Sequence, residues 1–116
     1  MRWALVGSRE YRDLQAVREV VRLFPARGTV IVSGGARGVD QAAAEEAKKL
    51  GLPVVEYLPD WHRHGRAAGM IRNRQIVANA DAVIAFWDGQ SRGTRHTVEL
   101  ANKVGIPVYL FKGRRK

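Results

Sequence analysis

The sequence predicts an α/β protein: a single Rossmann-like three-layer domain with a five-stranded parallel sheet of order 3-2-1-4-5. Short apolar segments alternate with helical segments along the whole chain. The apolar segments are continuously hydrophobic, which is typical of parallel strands covered on both faces. The chain has 116 residues, enough for one hydrophobic core. Because crossovers between parallel strands are right-handed, a doubly wound sheet is favoured.

The first part of the chain predicts two strand–helix units. RWALVG at 2–7 is a short apolar strand closed by glycine. YRDLQAVREVVRLF at 11–24 spaces its apolar residues helically and ends before Pro25. GTVIVS at 28–33 is β-branched, as in a buried strand. The alanine-rich segment GVDQAAAEEAKKLG at 38–51 predicts a helix that a glycine stops.

The middle of the chain predicts a third strand, a loop and a helix. PVVEYL at 53–58 is the strand, and PDWHRHG at 59–65 is the loop. The helix is expected from about residue 66 to residue 80 because its apolar residues keep one face packed.

The last part of the chain completes the sheet. DAVIAFWD at 81–88 is the most apolar strand, and GTRHTVELANKVG at 93–105 is helical with a glycine stop. IPVYLF at 106–111 is the fifth strand. We therefore expect one domain over residues 1–111, followed by a basic tail at 112–116.

The composition indicates a basic protein. The net charge is +9, and fifteen arginines stand beside five lysines. The planar guanidinium of arginine is well suited to binding phosphate. The excess of arginine therefore has two interpretations, a polyanionic partner or an arginine-rich solvated surface. The absence of cysteine excludes disulfides and thiolate metal sites. With no signal peptide and no segment of membrane-spanning length, the sequence predicts a cytoplasmic protein. We expect neither a metal site nor a cofactor.

Turns rich in glycine, serine and arginine follow three of the predicted strands. They are GSRE at 7–10, SGGARGVD at 33–40 and DGQSRGT at 88–94, whereas the opposite ends of the strands carry ordinary helix-to-strand turns. In open α/β sheets, ligands bind outside the carboxyl ends of the strands. The asymmetry therefore predicts a ligand site at this edge of the sheet.

The residue types of these turns suit an anion. Glycine lets backbone N–H groups approach a ligand closely, a helix N-terminus carries partial positive charge, and arginine closes a fork on phosphate. Taken alone, SGGARGVD is also typical of a tight turn that only needs positive φ. The predicted ligand-binding residues are Gly7, Ser8, Arg9, Ser33, Gly34, Gly35, Arg37, Gly38, Asp40, Arg66, Arg72, Asn73, Asp88, Ser91, Gly93 and Thr94.

Two further features leave alternatives open. Asp40 and Asp88 either compensate a helix dipole or have a functional role, as acceptors of hydrogen bonds from the ribose or base of a ligand or, for Asp40, as a partner that holds Arg37. Trp61 either stacks on a base or caps the core. No nucleophile–base pair is evident, so if the protein is an enzyme its catalytic candidates are Asp40, Asp88 and Glu10.

The motifs together resemble the SLOG superfamily, and within it the YspA/YpsA-related branch. The superfamily includes the DNA-processing protein A and the "lonely guy" phosphoribohydrolases. The segments that carry the resemblance are GSR at 7–9, SGGARGVDQAAAEEA at 33–47, PDW at 59–61, GRAAGMIRNRQIV at 65–77 and ADAVIAFWDGQSRGTRHTVELA at 80–101. The resemblance implies a Rossmann-like sheet, a nucleotide or nucleotide-derived ligand at the glycine-rich turns, and a homodimer.

The lonely guy motif is incomplete. Those enzymes use Gly-Gly-x-Gly-Thr-x-x-Glu, and here Gly93 and Thr94 are kept while Thr97 stands where the glutamate belongs. Glu99 comes two residues late. Three functions therefore remain open: binding or sensing of a nucleotide-derived ligand, hydrolysis of a nucleotide, and binding of single-stranded nucleic acid.

Overall fold

A computed structural model describes residues 1–114, and its sheet has the predicted topology. Five parallel strands lie in the order β3-β2-β1-β4-β5. Their bounds are Arg2–Gly7 for β1, Val30–Ser33 for β2, Val54–Glu56 for β3, Ala82–Trp87 for β4 and Val108–Lys112 for β5. The predicted fold class and strand order are therefore confirmed.

Five α-helices connect the strands. Their bounds are Leu14–Arg22 for α1, Val39–Lys49 for α2, Trp61–His64 for α3, Ala68–Ala78 for α4 and Arg92–Val104 for α5, with a 3₁₀ turn at Gly65–Ala67 between α3 and α4. Side-chain caps define two starts: the Asp13 carboxylate accepts from the Ala16 amide at 3.0 Å, and the Ser91 hydroxyl accepts from the Thr94 amide at 3.4 Å. Satisfying these amides fixes where α1 and α5 begin.

The helices cover both faces of the sheet. On one face, Leu5 of β1 belongs to a core cluster with Val17 of α1 and Ala43 of α2. On the other face, Ala4 packs in a second cluster that includes Ile76 of α4. Consecutive residues of a strand thus pack into cores on opposite faces of the sheet, because successive side chains of a pleated strand point to opposite faces. The central strands are buried from both sides, which explains their continuous hydrophobicity.

The segment before α4 differs from the prediction of a loop followed by one helix. Trp61–His64 form the short helix α3, because the Asp60 carboxylate accepts from the Arg63 amide at 3.1 Å. Gly65, with a φ of +56°, then redirects the chain into the 3₁₀ turn. As a result α4 begins at Ala68, two residues later than predicted.

The end of the described chain packs against the domain. Lys112 is the last residue of β5. The Gly113 amide donates to the Trp87 carbonyl at 2.9 Å, and the Arg12 amide donates to the Arg114 carbonyl at 2.9 Å. Of the tail predicted at 112–116, residues 115–116 lie outside the described residues. Among residues 1–114, no helix is long and apolar enough to cross a membrane.

Candidate ligand-binding cleft

A cleft of about 560 Å³ lies at the carboxyl edge of the sheet. The turns that follow β1, β2 and β4 line it, together with one face of α4 and the first turns of α5. The predicted residues that line it are Gly7, Arg9, Glu10, Arg37, Asp40, Arg72, Asn73, Asp88, Ser91, Gly93 and Thr94. Three sequence motifs that are far apart along the chain therefore meet in one place.

Two serines that the sequence predicts to bind the ligand instead stabilise the turns through hydrogen bonds to backbone amides. Ser8 is buried, and its hydroxyl accepts from the Asp88 amide at 3.1 Å, which ties the turn after β1 to the turn after β4. Ser33 is also buried, and its hydroxyl accepts from the Gly35 amide at 3.1 Å. Neither serine lines the cleft, so each positions the turns that do.

The glycines allow close approach between elements. A Cβ on Gly7 would lie 2.5 Å from the Cβ of Val39, so only glycine lets α2 pack this closely on β1. A Cβ on Gly38 would lie 2.6 Å from the carbonyl oxygen of Arg9, and Gly38 has a φ of +78°. A Cβ on Gly34 would lie 2.6 Å from Nη1 of Arg72. Gly35 has a φ of +70° on the exposed side of the turn.

Arg72 connects α4 to the turn after β2. From α4, its Nη1 donates to the Gly34 carbonyl at 2.5 Å, and its Nε donates to the Asn73 Oδ1 at 3.0 Å. Burial lowers the pKa of the Arg72 guanidinium, and the nearby carboxylate of Asp40 opposes that shift. A guanidinium nevertheless stays cationic in proteins. Arg72 thus fixes the turn after β2 to α4 and places a positive charge within the cleft.

Asn73 continues this polar connection to α5. It is buried, and its Nδ2 lies 3.4 Å from the Gly93 carbonyl, to which it donates, and 3.0 Å from Nδ1 of His96. An amide in this position satisfies groups on two helices at once. Through these hydrogen bonds, Arg72 and Asn73 fix α4 relative to the turn after β2 and to α5.

Arg66 lies apart from these residues. It is exposed in the 3₁₀ turn and does not line the cleft, because α4 begins two residues later than the predicted helix. The expectation that Arg66, Arg72 and Asn73 share one ligand-facing surface is corrected accordingly: Arg72 and Asn73 line the cleft, and Arg66 does not.

Asp40 is the most perturbed acid of the cleft. It is only 5% exposed, its Oδ2 accepts from the Ala36 amide at 3.3 Å, and its Oδ1 has no hydrogen-bond partner among residues 1–114. Burial raises the pKa of Asp40 to about 6, against the opposing effects of the Ala36 amide, the Arg72 charge and the Gly34 and Gly7 amides. A buried carboxylate oxygen without a donor is costly.

The charges of the cleft are arranged in two zones. Asp40 lies in the first turn of α2 and offsets the partial positive charge of that helix end. Asp88 similarly accepts from the Gln90 and Ser91 amides, each at 2.8 Å. Arg9 and Arg37 are exposed at the rim of the cleft. The exposed arginines thus form one zone, and the second zone is the buried carboxylate of Asp40 beside the charge of Arg72.

Sequence reasoning gave no ligand-facing role to Thr97, which is buried and lines the cleft. Its hydroxyl donates to the Gly93 carbonyl at 3.1 Å. The sequence feature that could have identified Thr97 is its position one helical turn after Gly93, where the lonely guy motif has glutamate. Glu99 is exposed, pairs with Arg95 at 2.8 Å and lies outside the cleft.

The remaining cleft residues that sequence reasoning missed carry little chemical signal: Val6, Ala36, Ile76 and Gln90. Val6 and Ile76 continue the core patterns of β1 and α4, and Ala36 lies in the turn after β2. Across residues 1–114, no three His, Asp or Glu side chains come together in a group that could hold a metal ion.

Comparison with known sequences places this cleft in a family context. A family model described as the YspA, cpYpsA-related SLOG family matches residues 1–64. The Gene 61 protein of Mycobacterium phage D29 is 40% identical over 116 residues, which covers 92% of this chain and 93% of the phage protein.

Two solved structures share the fold. DNA processing protein A from Helicobacter pylori, described for its single-stranded DNA binding mode, has a TM-score of 0.80 and 25% identity over 95% of this chain. DNA processing protein A from Streptococcus pneumoniae has a TM-score of 0.80 and 24% identity over 94% of this chain. The chain spans 64% and 49% of the lengths of these two proteins.

Proposed function

Because the chain belongs to the YspA, cpYpsA-related SLOG family, we propose that it binds or senses a nucleotide or nucleotide-derived phosphate in the cleft. The observation that carries the proposal is the convergence of the turns after β1, β2 and β4 on one cavity of about 560 Å³. That volume lies within the range of small-molecule sites, about 300–1,000 Å³.

The two charge zones orient the ligand. The phosphate lies at the rim, where Arg9 and Arg37 are exposed and each can form a fork on its oxygens. The ligand places a hydroxyl or amino donor beside Asp40, which lines the cleft and whose Oδ1 lacks a hydrogen-bond partner among the described residues. Recognition thus requires an anionic group and a donor group on the same molecule.

Replacing the rim arginines tests this proposal. We expect Arg9→Ala and Arg37→Ala each to weaken AMP binding by about 10-fold to 100-fold, since a hydrogen bond to a charged group contributes about 1.5–3 kcal/mol. Isothermal titration calorimetry provides the measurement. Arg92→Ala is the matched control: it is also an exposed arginine, near the start of α5, but it does not line the cleft. Equal losses in all three variants, or no AMP binding by the wild type, would contradict the proposal.

Single-stranded DNA is a second candidate ligand. The Helicobacter pylori protein binds single-stranded DNA and shares 25% identity with this chain, which has a net charge of +9. Nucleic acid recognition would use the backbone phosphates and would need basic residues beyond the cleft. The exposed side chains of Arg92 and Arg114 lie outside the cleft and are available for such contacts. Arg95 is also exposed there, and it pairs with Glu99.

Salt dependence tests the DNA candidate. If single-stranded DNA binds, the logarithm of its affinity falls linearly with the logarithm of salt concentration, with a slope of about −0.7 for each phosphate neutralised. The double variant Arg115→Ala/Lys116→Ala should make this slope shallower. The control is the double variant Lys48→Ala/Lys49→Ala at the C-terminal end of α2, which should leave the slope unchanged. Fluorescence anisotropy of a labelled oligonucleotide gives the slopes. A salt-independent affinity would eliminate this candidate.

Hydrolysis of a nucleotide remains a prediction. It requires a general acid or base beside the ligand, and Asp40, Asp88 and Glu10 line the cleft. The threonine at position 97 gives no support for a phosphoribohydrolase of the lonely guy type. The homodimer implied by the family resemblance likewise stays a prediction.

A further inference from the structure

We infer that the ligand carries two nucleoside-sized parts joined through phosphate, and that the second part occupies a cavity between α1 and α2. This inference rests on the proposed function of the cleft. The second cavity has a volume of about 390 Å³, which is itself within the size range of small-molecule sites. The cleft alone would be sufficient for a mononucleotide.

The two cavities share one wall. Arg9, Glu10 and Arg37 line both of them. Between the cavities, Gly38 packs directly on the Arg9 backbone, and a Cβ there would lie 2.6 Å from the Arg9 carbonyl oxygen. The turns after β1 and β2 therefore meet in a fixed ridge that carries two arginines. A phosphate held on this ridge has one cavity on each side.

The second cavity suits a base better than another phosphate. Leu14 and Ala42 give it apolar surface, and Arg18 provides a planar group for stacking. Gln41 and Glu45 provide hydrogen-bonding groups, and the Gln41 Nε2 donates to the Glu45 Oε1 at 3.2 Å. Glu45 lines this cavity and not the cleft, so an additional phosphate placed between α1 and α2 would meet like charge.

This arrangement defines how the ligand lies. One nucleoside reaches toward the Oδ1 of Asp40, the phosphate link lies over Arg9 and Arg37, and the second nucleoside enters between α1 and α2. Such chemistry occurs in pyrophosphate-linked dinucleotides and at the end of a single strand of nucleic acid. Because both contain two nucleosides joined by phosphate, the experiment must separate them by the type of linkage.

The first arm compares ligands on the wild-type protein by calorimetry. The probes are AMP, P1,P2-di(adenosine) diphosphate with a pyrophosphate link, and the dinucleotide pApA with a phosphodiester link. We expect at least one two-nucleoside probe to bind at least tenfold more tightly than AMP. Preference for the pyrophosphate link indicates a small-molecule dinucleotide, whereas preference for the phosphodiester link indicates a strand of nucleic acid. If AMP binds and neither longer probe binds more tightly, the inference is overturned while the proposed function stands.

The second arm blocks the second cavity. Gln41→Trp places a large side chain from an exposed position of α2 into this cavity, and Lys49→Trp places the same residue at the other end of the helix, outside both cavities. We expect Gln41→Trp to remove the tenfold advantage of the longer probe and to leave AMP binding within twofold. Lys49→Trp should bind all probes as the wild type does. Equal loss of AMP and of the longer probe in Gln41→Trp would overturn the inference. Absence of binding by every probe would overturn the proposed function as well.

Discussion

Gly38→Ala is expected to destabilise the protein by about 2–6 kcal/mol. Two effects combine at this residue. A φ of +78° with a ψ of −119° lies outside the left-handed helical region and costs a residue with a Cβ about 1–3 kcal/mol. The new Cβ would also lie 2.6 Å from the Arg9 carbonyl oxygen, and overpacking against backbone typically costs about 1–3 kcal/mol. Urea unfolding of the purified variant measures the loss of free energy.

Gly28→Ala separates the two effects. Gly28 has a similar φ of +84°, but a Cβ there would meet no atom within 4 Å. We expect this variant to lose only the conformational part, about 1–2 kcal/mol. The difference between the two variants then reports the contact between Gly38 and Arg9, which forms the ridge between the cavities, together with the cost of the ψ of −119° at Gly38. Equal losses would mean that the contact relaxes freely and that the ridge is not rigid.

The fold could be predicted from the sequence because its signals are local. Each strand is a short apolar run, and α1 and α5 repeat their apolar residues on one side. The carboxyl edge could also be predicted, since the turns at 7–10, 33–40 and 88–94 combine glycine with serine and arginine in a way that the opposite turns do not. Topology alone then brings these three turns together.

The internal design of the cleft depends on contacts that no local pattern encodes. Arg72 and Asn73 are neighbours on α4, yet their hydrogen bonds reach Gly34 and Gly93, 38 and 20 residues away. Arg66 was grouped with them on helical spacing, which fails because a 3₁₀ turn at Gly65–Ala67 precedes the helix. The second cavity depends on how α1 and α2 lie against the turns after β1 and β2, which spacing along the chain does not specify.

Asp40→Asn should stabilise the ligand-free protein at pH 7.5 by about 1–3 kcal/mol. Burial raises the pKa of Asp40 from 3.8 to about 6 in the folded state. Between these values the folded state binds more protons than the unfolded state, so the contribution of Asp40 to stability is complete below pH 3.8 and is lost as the pH rises through about 6. The full shift corresponds to about 3 kcal/mol, at 1.36 kcal/mol for each pH unit. An uncharged amide avoids this cost.

The pH dependence distinguishes this mechanism from a simple change of packing. Urea unfolding at pH 4 and pH 7.5 should show little gain for Asp40→Asn at the lower pH and the full gain at the higher pH. Glu45→Gln removes an exposed carboxylate from the same helix and should change stability little at either pH. A loss of stability in Asp40→Asn at pH 7.5 would show that the ionised carboxylate is well satisfied in the free protein. If the gain is observed together with weaker AMP binding, then the protein keeps a destabilising carboxylate in its cleft because the ligand requires it.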